Sequence, residues 1–290
     1  MQQQNSSFQG AEVRINAASC SDTGRVRTHN EDAILLCEPQ DQVLSAQSGW
    51  LYLLADGAGG HAAGEIASQL AVETIAATYY AQAASQYTDE TMLHVRGKVS
   101  HLHGPLGDLE APTLQLKRAF FAAHTRIREA ARLKREYAGM ITTCIAAVVK
   151  GAHLLIAHVG DSRAYLIRPS SASGPSIIRL TTDHSMVTEL ARAGIISPEQ
   201  MQSSPSRHII LRALGGKERE SPSPDVTTCV VQVGDALLLC CDGLWGMLTE
   251  EQLMMVVSHA PPQAACTELI RLANEAGGED NISAVVLSFI

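Results

Sequence analysis

The sequence lacks any apolar segment near the roughly 20 residues that a membrane-spanning helix needs. Its longest apolar stretches, such as 145–149 and 236–241, are far shorter. Basic residues are also scarce, because 22 Lys and Arg stand against 30 Asp and Glu for a net charge of −8. A surface that neutralises nucleic-acid phosphates or anionic lipid needs the opposite balance. We therefore expect no nucleic-acid partner and no membrane partner.

The seven cysteines are not arranged for metal binding or redox chemistry. They form no Cys-x-x-Cys pair and have no histidine at metal-ligand spacing. Most lie inside apolar runs, which is typical of buried, reduced thiols in the cytosol. The polar first ten residues also lack the basic start and apolar core of a secretory signal. We expect a disordered tail at residues 1–10 and a soluble, cytoplasmic protein.

The rest of the sequence has the composition of a folded protein. It is 46% hydrophobic and 18% charged, which excludes disorder as the dominant state and suffices for one large core. We find no internal repeat and no linker that divides the chain convincingly. The sequence therefore predicts a single domain over residues 11–290.

Short apolar runs rich in β-branched residues predict strands, and several are joined by turns too short for a crossover helix. Pairing should therefore be largely antiparallel. Helical patterns are grouped instead of alternating with the strands. Together these features predict an α+β fold, a four-layer α/β/β/α sandwich of two antiparallel sheets flanked by helices. The predicted strands are 13–20, 33–37, 50–55, 141–149, 153–159, 164–168, 177–180, 227–233, 236–241 and 283–290; the predicted helices are 61–82, 114–137, 186–193, 250–259 and 262–276.

Acidic residues recur at the ends of the predicted strands. In an antiparallel arrangement the exit of one strand and the entry of its neighbour share an edge, so distant carboxylates can converge there. Several carboxylates cannot share a pocket unneutralised, because like charges repel and raise each other's pKa. The residues concerned are Glu31, Asp32, Asp56, Asp161, Asp242 and Asp280.

A divalent cation is the natural means of neutralising such a set. Oxygen ligands without histidine or cysteine favour a hard ion such as Mg²⁺ or Mn²⁺. The glycines of Asp56-Gly57 and Asp242-Gly243 would let a carbonyl or water approach the ion. Asp-Gly is also a common turn dipeptide, so any single pair is better read as a turn, and the argument depends on the whole set.

Arg27, four residues before Glu31, adds a possible anion-binding group at the same edge. A guanidinium binds two phosphate oxygens at once, which a lysine does less specifically. An isolated arginine in the run Arg25-Val26-Arg27 would be read as a surface residue.

At this point the sequence resembles a known family. Seven strings carry the resemblance: TGRVRTHNED (23–32), LLADGAGGHAAGEIAS (53–68), HVGDSRAYL (158–166), LTTDHS (180–185), LRALG (211–215), LLLCCDGLW (237–245) and EDNISAVV (279–286). In this order they resemble the motifs of the protein phosphatase 2C (PP2C, or PPM) family of metal-dependent serine/threonine phosphatases. The resemblance covers about residues 19–290, and the form of the second string is similar to the bacterial branch.

The resemblance implies a binuclear Mn²⁺ or Mg²⁺ centre, with two ions per chain. Asp56 would bridge both ions, Glu31 and the Gly57 carbonyl would complete the ligands of one, and Asp242 and Asp280 would hold the other. Asp161, with Asp242, would match a third, weaker site. Arg27 would bind the phosphate, and Asp32 and Asn281 would orient the ligands.

The implied reaction is hydrolysis of phosphoserine or phosphothreonine on proteins by attack of a metal-bound water, without a phosphoenzyme. The implied partners are phosphoprotein substrates, among them the targets of an opposing bacterial Ser/Thr kinase, and we expect a monomer. Substrate specificity is assigned to the segment from Asp183 to Leu214 and nearby loops.

The sequence departs from the family pattern at three places. Ala58 follows Gly57 where animal-type relatives place a histidine, and the nearest histidine is His61, so no general acid is assigned. The usual Gly-Thr-Thr reads Ile141-Thr142-Thr143, and the segment 83–113 is longer than in compact relatives.

Two other functions stay open. A catalytically silent module that kept the fold for binding is disfavoured because all five predicted carboxylate ligands are intact. A hydrolase of nucleotides or other small phosphates is compatible with the site, although no Walker-type glycine loop is present.

Overall fold

Two β-sheets packed face to face form the centre of the computed structural model, which describes residues 13–58, 63–83, 99–101, 109–169, 174–216 and 223–290. The predicted tail at residues 1–10, His61 and most of the 83–113 segment lie outside these ranges. The described strands are β1 (Ile15–Asp22), β2 (Asp32–Cys37), β3 (Trp50–Ala58), β4 (Val99–His101), β5 (Ile141–Thr142), β6 (Cys144–Lys150), β7 (His153–Val159), β8 (Arg163–Arg168), β9 (Ser176–Arg179), β10 (Leu214–Gly215), β11 (Asp225–Val230), β12 (Ala236–Cys240) and β13 (Ile282–Phe289).

The strands divide into two sheets that are almost entirely antiparallel. One sheet has the order β1-β13-β12-β8-β9, and the other has the order β10-β5-β3-β6-β7-β11-β4, with β2 also paired to β3. Only β4 and β11 run parallel among the described pairs. The helices are α1 (Gln42–Ser48), α2 (Ala63–Ala83), α3 (Glu110–Leu133), α4 (Met186–Arg192), α5 (Pro198–Ser203), α6 (Asp242–Trp245), α7 (Glu250–His259) and α8 (Pro262–Glu275).

Helices cover the outer face of each sheet, as the alternation of side chains along β3 shows. Leu51 and Leu53 point to the core beneath α2 and α3. Tyr52 and Leu54 point the other way, into the core between the sheets. Because successive side chains of a strand face opposite sides, a strand buried on both faces reads as one continuous apolar run.

A third apolar layer lies between the five-stranded sheet and helices α7 and α8. Tyr165 and Leu238 of the sheet pack there with Leu253 of α7 and Leu269 of α8. The predicted four-layer α/β/β/α sandwich is therefore confirmed. None of the helices in the described residues combines the length and hydropathy needed to span a bilayer.

The structure differs from the prediction mainly in short elements. Helices α1, α5 and α6 and strands β4 and β10 carry too few residues to show a period. The predicted strand 141–149 is two strands, because Thr143 leaves the ladder between them and its backbone N–H donates to the Asp56 carbonyl at 2.8 Å. For α1 a signal existed, since the Asp41 carboxylate accepts from the N–H groups of Val43 and Leu44 at 2.8 and 3.0 Å.

Candidate metal centre

Strands β2 and β3 place the first carboxylates of the site side by side. Asp32 lies directly opposite Asp56 in the β2–β3 register, and Glu31 precedes β2. Strand β3 does not end at Asp56 as predicted, because Gly57 and Ala58 continue it by pairing with Thr142 and Ile141. Asp56 and Gly57 are therefore held in a paired strand.

The other carboxylates come from the ends of neighbouring strands. Asp242 follows β12 and is the first residue of α6, and Asp280 precedes β13. Asp161 lies in the turn between β7 and β8, where the chain passes from one sheet to the other. The predicted ligands thus reach one edge of the sandwich from both sheets.

Their mutual electrostatics show that these carboxylates converge. Burial first, and then the charges of Asp32, Asp242, Asp161 and Asp280, hold the pKa of Asp56 well above its ordinary value. Burial and its acidic neighbours raise the pKa of Asp32 to about 7. The metal-free protein therefore holds several like charges, or protons that neutralise them, in one buried place.

Asp161, Asp242 and Glu31 are affected in the same way. Burial and the charge of Asp242 raise the pKa of Asp161 to about 8. The pKa of Asp242 is raised by burial and by Asp280, and that of Glu31 by burial, which the Gly64 backbone and Arg27 oppose.

Unpaired oxygens identify what the site can hold. Buried carboxylate oxygens of Glu31, Asp32 and Asp161 have no hydrogen-bond partner, and for Asp32 this is true of both oxygens. Buried acceptors are normally satisfied, so a group of unpaired ones is suited to bind a cation. Carboxylate oxygens suit Mg²⁺ or Mn²⁺, and the residues present fit these ions.

Arg27 and Asn281 connect the chain segment before β2 to Asp280. Nη2 of Arg27 donates to Oδ2 of Asp280 at 2.7 Å, and the Arg27 side chain is 53% exposed. The Asn281 amide accepts from the Glu31 N–H at 2.8 Å and donates to the Thr23 and His29 carbonyls at 3.0 and 2.9 Å. Asn281 thus fixes the backbone that carries Arg27 and Glu31.

The sequence did not reveal the role of Gly64, the second residue of α2. A Cβ at this position would lie 2.5 Å from Oε1 and 2.6 Å from Cδ of Glu31. Ser68, one turn later, donates its hydroxyl to the Glu31 carbonyl at 2.6 Å. The start of α2 therefore packs directly against Glu31, and only glycine leaves room for its carboxylate.

Cys241 was also missed as a neighbour of the site. Its sulfur and one carboxylate oxygen each of Asp32 and Asp56 lie within 4.8 Å of one another. The thiol donates to the Asn281 carbonyl at 3.3 Å and accepts from the Ser283 N–H at 3.1 Å. Burial holds the pKa of this thiol well above its usual value, so Cys241 acts as a small protonated residue that links β12 to β13.

Two hydroxyls fix Asp56 from behind. Thr142 donates its hydroxyl to the Asp56 carbonyl at 2.8 Å, and the Asp56 N–H donates to the Thr143 hydroxyl at 3.3 Å. The Thr143 hydroxyl is also 2.9 Å from that of Ser162, beside Asp161. The two threonines that the sequence retains after Ile141 therefore join Asp56 to the Asp161 turn.

The sandwich and the carboxylates at its edge suit a metal-dependent hydrolase, and similarity to known proteins identifies the class as the metal-dependent protein phosphatases. The model of one family, protein phosphatase 2C, matches residues 25–285, and the chain belongs to this family. The protein phosphatase PhpP of Streptococcus pneumoniae is 32% identical over 273 residues, which cover 92% of this chain and 95% of the relative. By class the chain is a protein-serine/threonine phosphatase.

Solved structures agree with this assignment. A Streptococcus agalactiae serine/threonine phosphatase superposes with a TM-score of 0.77 at 28% identity, covering 95% of this chain and 99% of that one. The catalytic domain of the phosphatase PstP, solved with two manganese ions, superposes with a TM-score of 0.71 at 31% identity, covering 97% of this chain and all of that one. The family resemblance of the sequence motifs is confirmed.

Proposed function

We propose that the protein hydrolyses phosphoserine and phosphothreonine on proteins, using two Mn²⁺ or Mg²⁺ ions at the acidic edge of the sandwich. The observation that carries this proposal is the set of buried, unpaired carboxylate oxygens on Glu31, Asp32 and Asp161. The PstP structure with two manganese ions supports the same number here.

Each predicted ligand has a role in this proposal. Asp56, the carboxylate surrounded by most others, would contact both ions. Glu31 and the carbonyl of Gly57 would complete the ligands of one ion, and Asp242 and Asp280 those of the other. A third, weaker ion would bind between Asp161 and Asp242, since the charge of Asp242 raises the pKa of Asp161. Asp32 and Asn281 would hold the ligands in orientation.

When bound, such ions lower the pKa of water and offset the charge of a phosphoryl group. The barrier they must lower is severe, because phosphate-monoester hydrolysis requires accelerations of up to roughly 10²¹. Arg27 uses one guanidinium nitrogen on Asp280 and retains other N–H donors for two phosphate oxygens. The predicted scheme needs no phosphorylated side chain and assigns no general acid, and His61 lies outside the described residues.

The setting of the reaction is part of the proposal. An opposing bacterial Ser/Thr kinase would supply the phosphorylated substrates, and the protein would act as a monomer in the cytoplasm. All seven cysteines are free, and five are buried, which supports a reducing compartment.

The direct test is phosphate release from a phosphothreonine peptide. We expect turnover with Mn²⁺, none with EDTA and none after Asp242→Asn. The matched control is Asp235→Asn, which changes a buried aspartate just before β12, at the far end of the strand that Asp242 follows, and should keep turnover. Free nucleotides should be poor substrates. No turnover by a folded, metal-loaded protein would contradict the proposal and favour a silent binding module.

Gly64→Ala should weaken Mn²⁺ binding by about 10- to 100-fold, as other changes behind a metal ligand do. The added methyl displaces the Glu31 carboxylate, although alanine by itself favours a helix by up to about 1 kcal/mol. Binding is measured by calorimetry and stability by thermal unfolding in EDTA.

Adding Glu31→Asp to Gly64→Ala provides the control. The shorter aspartate leaves space for the methyl, so Gly64→Ala should cost less affinity in the Glu31→Asp background than in the native one. Equal losses in both backgrounds would show that the Gly64 contact with Glu31 is not the cause.

A further inference from the structure

The turn that carries Asp161 is held by its main chain. Gly160 adopts a φ of +107°, and a Cβ there would lie 2.5 Å from the Thr143 Cβ. The indole N–H of Trp245 donates to the Asp161 carbonyl at 3.0 Å. The Asp161 side chain itself has a buried oxygen without a partner, so its position depends on these backbone contacts.

His184, which is 5% exposed, forms two hydrogen bonds with the same turn. Its backbone N–H donates to the Gly160 carbonyl at 3.0 Å, and its ring Nδ1 accepts from the Gly160 N–H at 3.1 Å. The direction of a backbone N–H is fixed by the chain, so Nδ1 must be the unprotonated nitrogen. The ring proton of this tautomer is therefore on Nε2.

The Asp225 carboxylate lies beside Nε2 of His184 and favours the tautomer with the proton on that nitrogen. Its Oδ2 lies 3.3 Å from Nε2 of His184, and its Oδ1 accepts from Arg212 at 2.9 Å. Although burial opposes ionisation, His184 and Arg212 hold the pKa of Asp225 below its usual value. An ionised carboxylate can only accept, and it therefore keeps the His184 proton on Nε2. The imidazole ring of His158 stacks on that of His184, with 4.7 Å between the ring centroids and 12° between the ring planes.

His184 also joins both ends of the segment 183–214, which we call the flap segment. The Leu211 N–H donates to the His184 carbonyl at 2.7 Å, and the Met186 N–H donates to the Ile209 carbonyl at 2.9 Å. Ser185 and Ile210 form a β-bridge between these bonds. One residue thus contacts the base of the flap segment and the turn of the proposed third metal ligand.

We propose that His184 is a positioning residue, whose Nε2–H tautomer, selected by Asp225, fixes Asp161 for the third metal ion and couples it to the flap segment. This inference rests on the proposed function, because Asp161 matters for activity only if it binds an ion. The tautomer of His184 and its hydrogen bond with the Gly160 N–H can both be measured without any substrate.

The test is Asp225→Asn. The asparagine amide can donate to Nε2, which moves the ring proton to Nδ1 and breaks the bond from Gly160. We expect ¹⁵N NMR of the Mg²⁺-loaded protein to show the Nε2–H tautomer in the native chain and a shift toward Nδ1–H in the variant. The metal concentration for half-maximal activity should rise by about 10- to 100-fold, the usual cost of losing a group that orients a ligand.

Arg212→Gln is the matched control. Arg212 is the other partner of Asp225, and its Nη1 also lies 3.2 Å from Nε2 of His184. A guanidinium can only donate, so its removal takes no acceptor away from the Nε2 proton and leaves the carboxylate that faces His184. The tautomer and the metal dependence should therefore stay native. A Nδ1–H tautomer in the native protein, or equal effects of Arg212→Gln and Asp225→Asn, would overturn the inference.

His184→Asn and His184→Leu separate positioning from simple packing. The asparagine Oδ1 can accept from Gly160 in place of Nδ1, whereas leucine cannot, so His184→Asn should retain at least about tenfold more metal affinity. In the His184→Asn protein, Asp225→Asn should have no further effect on metal dependence. Equal losses in both His184 variants would overturn the positioning role. If the native protein shows no phosphatase activity, the proposed function fails, and the NMR tautomer with Mg²⁺ calorimetry still decides the inference.

Discussion

Replacing Asp56 by Asn is expected to abolish phosphate release while making the metal-free protein more stable. Asp56 is the carboxylate on which the charges of Asp32, Asp242, Asp161 and Asp280 all act. A neutral amide of the same shape removes that repulsion, and we expect a gain of roughly 1–2 kcal/mol in the free energy of unfolding, as for other strained functional sites. Losing the ligand that we propose to contact both ions should lower turnover on the order of 10³-fold or more.

The measurements are phosphate release from a phosphothreonine peptide with Mn²⁺ and urea unfolding in EDTA. In the native protein, Mn²⁺ should raise the free energy of unfolding, because a ligand that binds only the folded state stabilises it. In Asp56→Asn this increment should be small. The variant is thus expected to be the more stable protein without metal and the less stable one with it.

Asp235→Asn is the control for removing a buried carboxylate. Asp235 accepts from Arg168 at 3.2 Å and from the Gln232 N–H at 2.9 Å, so its charge is paired. Its replacement should cost about 1–3 kcal/mol and leave the Mn²⁺ increment intact. If Asp56→Asn lowers the free energy of unfolding in EDTA, as Asp235→Asn should, then repulsion among the site carboxylates does not destabilise the native protein.

The layers of the fold could be predicted because each follows from a local pattern. Strands such as β7, over 153–159, are runs of apolar residues bounded by glycine, and α7 and α8 have clear helical periods. Short turns made antiparallel pairing necessary. The parallel contact of β4 with β11 could not be predicted, because three residues carry no periodic signal and their pairing partner lies more than 120 residues away.

The edge on which the site lies could be predicted, but not the contacts that hold it. Acidic residues at strand ends predict convergence, and the family motifs suggest a role for each one. Asp242 follows β12 as the sequence predicts, but the sequence does not show that it also begins α6, which brings Trp245 to the carbonyl of Asp161. The sequence shows Gly64 as one glycine among several, whereas only the packed structure shows that its missing side chain leaves room for Glu31.

Long-range hydrogen bonds account for most of what was missed. His184 and Asp225 are separated by 41 positions and by the flap segment, so no local pattern links them. Asn281 reaches back to Glu31 across 250 positions. Such pairs depend on how β7, β11 and β13 are placed by the whole sandwich, and a single sequence does not contain that information in any local form.

Without metal, the protein should lose stability as the pH rises from about 5 to 8. The pKa of Asp32 is raised to about 7 and that of Asp161 to about 8, against an ordinary value of 3.8. A carboxyl whose pKa is higher in the folded state binds its proton more tightly there. Its contribution is therefore fully present below pH 4 and is lost as the pH rises through 7 to 8.

Asp32→Asn isolates this effect from the other titrating groups. The variant should gain stability relative to the native protein by up to about 1.4 kcal/mol per pH unit between pH 5 and 7, measured by urea unfolding in EDTA. The surface variant Glu268→Gln is the control, because Arg271 lowers the pKa of Glu268 and its contribution is constant in this range. Saturating Mn²⁺ should reverse the order and make the native protein the more stable one at pH 8, since bound cations favour the ionised carboxylates. A difference between Asp32→Asn and the native protein that does not change with pH would show that Asp32 is already ionised at pH 5 and that the acidic edge is open to water.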